Sequence, residues 1–254
     1  MAISFLRVLQ SEFQKTKNSW GLRLSILGPM AVTLIVFLGF IDNAENASSD
    51  ANPWADFSKY VFQFFFFLYP LFVALLAFLL SNLEHKYQGF KQIFTQPAPK
   101  LYFYASKILV VFSWVASSLL TGGLMIWLFG QLLSMIVPAY GFQDYPIPAE
   151  VWVFLFRLGI SLIGILSIHF FMSLYWDNFI VTVGSAVFLL VLGMIIFNKW
   201  KYAPYYVYTY PVQHFMEFSS QKAQLWTQES SLALLYAAVF LGAGYILLSR
   251  KNIT

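Results

Sequence analysis

The sequence predicts an all-α fold: a polytopic membrane protein with six transmembrane helices, N-in/C-in, with an N-terminal amphipathic helix and a short helix in one inner loop. Three observations carry this. Hydrophobic residues make up 59% of the chain and charged residues 10%, whereas a soluble domain carries about 25% charged residues. Six apolar runs are each long enough to cross about 30 Å of hydrocarbon. The charges between them segregate by sign from one side to the other.

The spans read as Leu22–Ile41, Val61–Leu80, Ile108–Val137, Val151–Met172, Phe179–Phe197 and Ser231–Ser249. The third exceeds what a bilayer needs, so it tilts or breaks at Gly122-Gly123. Pro29 and Pro70 are expected to kink the first and second spans. Ser113, Ser117 and Thr121 in the third span, and Ala238 and Gly242 in the sixth, form small-residue stripes that suit close helix packing in lipid.

With the N-terminus in the cytoplasm, the inner side holds Arg7, Lys15, Lys17, Arg23, Lys86, Lys91, Lys100, Lys107, Arg250 and Lys251. The outer side holds only Lys59, Lys199, Lys201 and Lys222, and Arg157 lies within a span. Acids lean outward, with only Glu12, Glu84 and Asp177 inside. Positive residues mark cytoplasmic loops, which gives the topology and explains the basic pI of 9.1 without nucleic acid. The first apolar run is too long for a cleaved signal peptide. The chain has no cysteine, so disulfides and thiolate metal sites are excluded.

Residues 1–21 form the interfacial segment. Leu6, Leu9, Phe13 and Trp20 recur at helical spacing, while Arg7, Gln10, Gln14 and Lys17 fall largely elsewhere. A basic amphipathic helix of this kind lies at a membrane surface, lysines toward anionic headgroups. The loop at 82–107 puts Phe90, Ile93 and Phe94 on one face of a short helix with Lys91 opposite, and Pro97 and Pro99 end it. Lys100 and Lys107 then straddle the return into the bilayer. Such a plug fits a groove on another protein, and an ordinary basic loop is the simpler alternative.

Particular residues in this region carry a family resemblance. They are Glu84 at the end of the second span, Gly89 and Lys91 in the short helix, Pro97, Lys100 with Tyr102, and Ser106-Lys107. With Glu12-Phe13-x-Lys15 before the first span, this pattern resembles the permease subunits of ABC-2 type exporters. Length and compact loops are most similar to permeases of bacitracin-resistance and lantibiotic-immunity transporters. The resemblance implies one transmembrane domain over residues 1–254, and a coupling helix built from Glu84, Gly89, Phe90, Lys91, Ile93, Phe94, Pro97 and Lys100. It implies two copies of a separate ABC ATPase subunit that bind ATP and Mg, and a second permease as homodimer or heterodimer. It also implies a bacterial inner membrane.

The chain itself shows no chemistry-bearing motif. There is no G-x-x-x-x-G-K-[ST], no H-E-x-x-H and no G-x-S-x-G. His85, His169 and His214 stand apart in sequence, so neither a metal nor a cofactor is expected. Trp176-Asp177-Asn178 reads as a tight turn that caps the fifth span. Arg157, about two turns into the fourth span, either snorkels outward to Glu150 or Glu217 or meets an anionic group on cargo at a dimer interface. The outer loop at 198–230 is rich in aromatics, among them Tyr205, Tyr206 and Tyr208. An aromatic belt explains them; the resemblance instead implies a re-entrant hairpin capping the exit. The expected function is the permease subunit of an ATP-driven exporter of amphipathic cargo. A membrane scaffold is a second class. An ion-driven transporter is a third, disfavoured because no acid lies within the expected spans.

Overall fold

The computed structural model describes residues 4–47, 51–86, 98–176, 178–197, 199–220 and 224–250, and the regular elements among them are all helical, without strands. In chain order the helices are α1 (Phe5–Thr16), α2 (Trp20–Asp42), α3 (Pro53–Lys86), α4 (Lys100–Ile136), α5 (Ala149–Tyr175), α6 (Ser185–Phe197), α7 (Tyr210–Ser219) and α8 (Gln228–Arg250). A π-helical turn, Ile180–Gly184, leads into α6.

Six helices are long and apolar enough to cross a membrane: α2, α3, α4, α5, the π turn with α6, and α8. They coincide with the six expected apolar runs and extend beyond most of them, because polar residues at the ends continue the helix. Caps set several of these ends. Ser19 Oγ accepts from Leu22 N at 3.4 Å at the start of α2. Asn52 Oδ1 accepts from Trp54 N at 3.0 Å, with Pro53 in the first position of α3, where its missing N–H costs nothing. At the turn before α6 the capping residue is Asn178, whose Oδ1 accepts from Ile180 N at 2.8 Å; Asp177 lies outside the described residues.

The Gly122-Gly123 pair does not break α4, which runs unbroken for 37 residues. A Cβ on Gly122 would stand 2.8 Å from the Phe65 ring, so the glycine serves a close approach of α3. α2 and α3 likewise run on through Pro29 and Pro70.

α5 is the central helix. Its span is 72% buried, against 28% for α2 and 22% for both α6 and α8. It packs on α8 where a Cβ at Gly164 would meet the Ala233 backbone oxygen at 2.9 Å. The packed face of α8 carries Ser230, Ala233, Ala237, Gly244 and Leu248. Ala238 and Gly242 point outward instead, and nothing lies within 4 Å of a Cβ at Gly242. Their small-residue spacing does not form the contact expected of it within this subunit. Ser117 does: its Oγ lies 3.1 Å from Ser25 Oγ, joining α4 to α2.

Both ends of the bundle are cross-tied. At the end carrying the N-terminus, Lys100 Nζ donates to Ser249 O at 3.0 Å and Tyr104 OH to Leu241 O at 2.7 Å. At the far end, Trp54 Nε1 donates to Phe142 O at 3.0 Å and Tyr140 OH to Phe40 O at 2.9 Å.

Candidate functional site

Three places in this frame gather polar or open features. The first is where α1 meets α4. α1 buries Val8, Glu12 and Thr16, one residue per turn, against α4. Leu6, Phe13 and Trp20, the apolar stripe, stay exposed. The packed face is therefore the one with a carboxylate in it. Lys107 Nζ lies 2.8 Å from Glu12 Oε2, with both side chains almost fully buried. Lys15 holds the other oxygen at 2.8 Å from a half-exposed position. Burial pushes the Glu12 carboxyl up, but the charge and hydrogen bond of Lys107, with those of Lys15, outweigh it and hold it below its ordinary value. Two segments quoted separately for the family resemblance, Glu12-x-x-Lys15 and Ser106-Lys107, thus meet in one ionic link. The sequence reading named these residues without pairing them; their separation of 95 positions hides the contact.

Of the expected coupling residues, Lys100 opens α4 and bonds Ser249. Glu84 falls in the last turn of α3. Gly89, Phe90, Lys91, Ile93, Phe94 and Pro97 lie outside the described residues.

The second place is an apolar cavity of about 340 Å³ between α2, α3 and the start of the fifth span. Gly28, Pro29 and Val32 line it from α2, Phe65, Tyr69 and Phe72 from α3, and Phe179 and Val183 from the π turn and its approach. The Tyr69 hydroxyl is held at 3.1 Å by the Ser118 carbonyl on α4. The cavity therefore offers rings and methyls, with little to bind a charge.

The third place is the far-end segment 203–219. Two 3₁₀ turns, Ala203–Tyr205 and Val207–Thr209, lead into α7, which folds back antiparallel to α5. The register is printed in its contacts. Tyr208 OH bonds His169 Nε2, Val207 packs at Gly164, His214 Nε2 lies 2.9 Å from Ser161 Oγ, and Glu217 meets Arg157. The adjoining face of α7 is aromatic, with Phe215 stacked on Phe66 at 4.8 Å and Phe218 edge-on to Phe62 at 5.0 Å.

Arg157 takes Glu217 rather than Glu150. Its Nη1 lies 2.5 Å from Glu217 Oε2 and its Nη2 donates to Thr227 Oγ1 at 3.3 Å, while Nε has no partner. It is buried within one subunit rather than reaching out. Gln213 Nε2 then bridges Glu217 at 3.3 Å and Glu229 on α8 at 2.8 Å. Burial and the nearby Arg157 charge push the His214 imidazole down to about 3, so it stays neutral. This network of α5, α7 and α8 had one visible member in the sequence, the lone arginine in an apolar run.

The three tyrosines separate. Tyr205 is exposed. Tyr206 is partly buried and donates to Leu189 O at 2.9 Å. Tyr208 is buried on His169, and burial pushes its hydroxyl well above the usual tyrosine value. Among the described residues no cluster of three or more His, Asp or Glu could hold a metal.

Together these features define a multi-pass helical membrane protein whose polar links join its spans to two non-spanning helices, one at each end. Residues 8–193 match the family described as ABC-2 family transporter protein, and the chain belongs to that family. No curated protein and no solved structure matches it. The family is that of a transport subunit in the membrane, generally not catalytic and generally working with an ABC ATPase partner.

Proposed function

We propose that this chain is the membrane-spanning permease subunit of an ATP-driven exporter that moves an amphipathic cargo: an antimicrobial peptide, a drug or a lipid-linked molecule. It works in a bacterial cytoplasmic membrane, N- and C-termini inside. A second permease, identical or sister, completes the pore, and two ATPase subunits bind ATP and Mg. Within the family, the chain resembles the permeases of bacitracin-resistance and lantibiotic-immunity transporters.

The observation that carries this reading is the buried Glu12–Lys107 pair. The 82–107 segment, the proposed ATPase contact, ends at the very turn of α4 that holds α1. A pull on that segment by the closing ATPase is passed through the ion pair to α1 and so to the foot of α2. α2, α3 and the fifth span then rearrange around their shared apolar cavity, whose ring-lined wall suits an amphipathic molecule. Energy enters because ATP binds the two conformations with different affinity. At the far end α7 closes the path, and Arg157, Tyr205, Tyr206 and Tyr208 are its gate candidates, with Glu217 holding Arg157.

Co-purification tests this. The tagged chain should bring down the ATPase encoded beside it, and a Phe90→Asp, Phe94→Asp variant should not. Failure of the wild type to bind any ATPase would return the scaffold and ion-driven classes to first place.

A further inference from the structure

At the end opposite the N-terminus, α2 and α3 part around a further cavity of about 670 Å³. Ile35, Gly39 and Asn43 line it from successive turns of α2, and Asp56, Tyr60 and Phe64 from successive turns of α3. Phe40 stands behind them, its ring centre 5.8 Å from that of Tyr60 and 5.4 Å from that of Tyr140. A Cβ on Gly39 would meet nothing within 4 Å, so the cavity opens over that residue.

The groups this wall offers a ligand are acceptors. The Asp56 carboxylate forms no ion pair and no hydrogen bond among the described residues. Lys59, one turn on, is not part of the lining, and no lining residue is basic. Asn43 gives its amide N–H to Gly39 O at 2.8 Å, which leaves its Oδ1 as an acceptor, and Tyr140 gives its hydroxyl to Phe40 O at 2.9 Å. A helix start attracts anions through its free N–H groups, but those of α3 are taken by Asn52. Trp54 N bonds its Oδ1 at 3.0 Å, and Ala55 N and Asp56 N bond its O at 3.1 and 3.4 Å. At the mouth Asp42, Glu45 and Asp56 outnumber Lys59, so the local field is negative. One carboxylate and one amide oxygen are too few ligands for a calcium-type ion. A cation that carries apolar groups matches the whole wall: a carboxylate for its charge, ring faces that attract cations, and open apolar space beside them.

We propose that this α2–α3 cavity binds a monovalent organic cation with bulky apolar substituents. Its charge sits at Asp56 and against the Tyr60 ring, and its apolar groups lie over Gly39 and beside Phe64. Binding rests on the cavity alone and does not require that the chain export the ligand.

The test uses the full chain in uncharged dodecyl maltoside micelles and radiolabelled tetraphenylphosphonium, a permanent cation with four phenyl rings. Binding is counted as the part that excess unlabelled compound displaces, which removes partition into detergent. Saturable binding should appear, and triphenylphosphine oxide, a neutral relative, should compete poorly. Asp56→Asn, which removes the charge and keeps the shape, should weaken binding roughly fivefold. Tyr60→Leu should weaken it roughly threefold. Gly39→Leu fills the space with the charge intact and should abolish it. Asp144→Asn, at an acid of the same end outside the lining, should change nothing. All four positions are exposed, so the fold survives each change. Absence of saturable binding, equal competition by the neutral compound, full affinity in Asp56→Asn or Gly39→Leu, or an equal loss in Asp144→Asn would each overturn the proposal.

Discussion

Replacing Glu12 with leucine removes the carboxylate that faces Lys107 across 2.8 Å, in a setting where both side chains are almost fully buried. At that distance the attraction is roughly 6 kcal/mol for an effective dielectric of about 20. Most of it offsets the cost of taking both charges out of water. What shows on breaking the pair is the cost of leaving the buried Lys107 charge without the Glu12 carboxylate, typically about 3–5 kcal/mol. Lys107→Met should cost less, about 1–3 kcal/mol, because Lys15 still holds Glu12 at 2.8 Å. The double variant Glu12→Leu, Lys107→Met removes both charges and should lie within about 1 kcal/mol of the parent. Thermal unfolding of the detergent-purified chain reads this. At about 2–4 °C per kcal/mol for a chain of this size, Glu12→Leu should lower the midpoint by about 6–20 °C, and the double variant should recover most of that. If the two single losses simply add in the double variant, the pair is not coupled and the link from α1 to α4 is not ionic.

Acid should act on the same pair. The Glu12 carboxyl is depressed below 4.5 in the folded chain, so its stabilisation is complete above pH 4.5 and is lost as pH falls through the folded value. Glu12→Gln should flatten the stability curve in that range only. His214, depressed from 6.5 to about 3, acts over a wider window that starts at higher pH. Below pH 6.5 the unfolded chain takes up a proton the folded chain refuses, so stability falls as pH drops, and His214→Gln should flatten the curve from 6.5 down to about 3, with the part above 4.5 belonging to His214 and not to Glu12. Glu217→Ala strands the buried Arg157 and should loosen α7 by about 3–5 kcal/mol. Since the chain has no cysteine, a single cysteine introduced at Phe215 should become reactive to a maleimide in that variant and stay protected in the parent. Tyr208→Phe removes the partner of buried His169 Nε2 and should lower stability by about 1–3 kcal/mol. Tyr205→Ala, at an exposed site, should leave the melting midpoint unchanged within about 0.5 kcal/mol and lower export; an unchanged export rate would remove Tyr205 from the gate.

The spans were legible because lipid imposes a one-dimensional rule: about 20 apolar residues in a row must form a helix that satisfies its own backbone. The match of apolar run to helix follows from that alone, whereas the unbroken 37 residues of α4 exceed what the rule asks, and the sequence left tilt or a break at Gly122-Gly123 open. What resisted reading was which helix face looks where. Ala238-x-x-x-Gly242 has the spacing of a packing stripe yet faces outward, while Ala233 and Ala237 on the same helix pack inward. In lipid both faces are apolar, so hydrophobic periodicity cannot tell inside from outside. α1 shows the reverse: its apolar stripe was plain, but the face it buries carries Glu12.

By itself, then, the sequence determined the all-helical class, the number and approximate limits of the spans, and the residues that resemble ABC-2 permeases, because these depend on composition and short-range order. The tertiary structure decided the partners. It brought Glu12 to Lys107 across 95 positions, gave Arg157 to Glu217 rather than Glu150, sorted Tyr205, Tyr206 and Tyr208 into exposed, partly buried and buried sites, and folded α7 back along α5. A charge that must leave water needs a counter-charge at about 3 Å. Only the packed helices fix which distant side chain stands there.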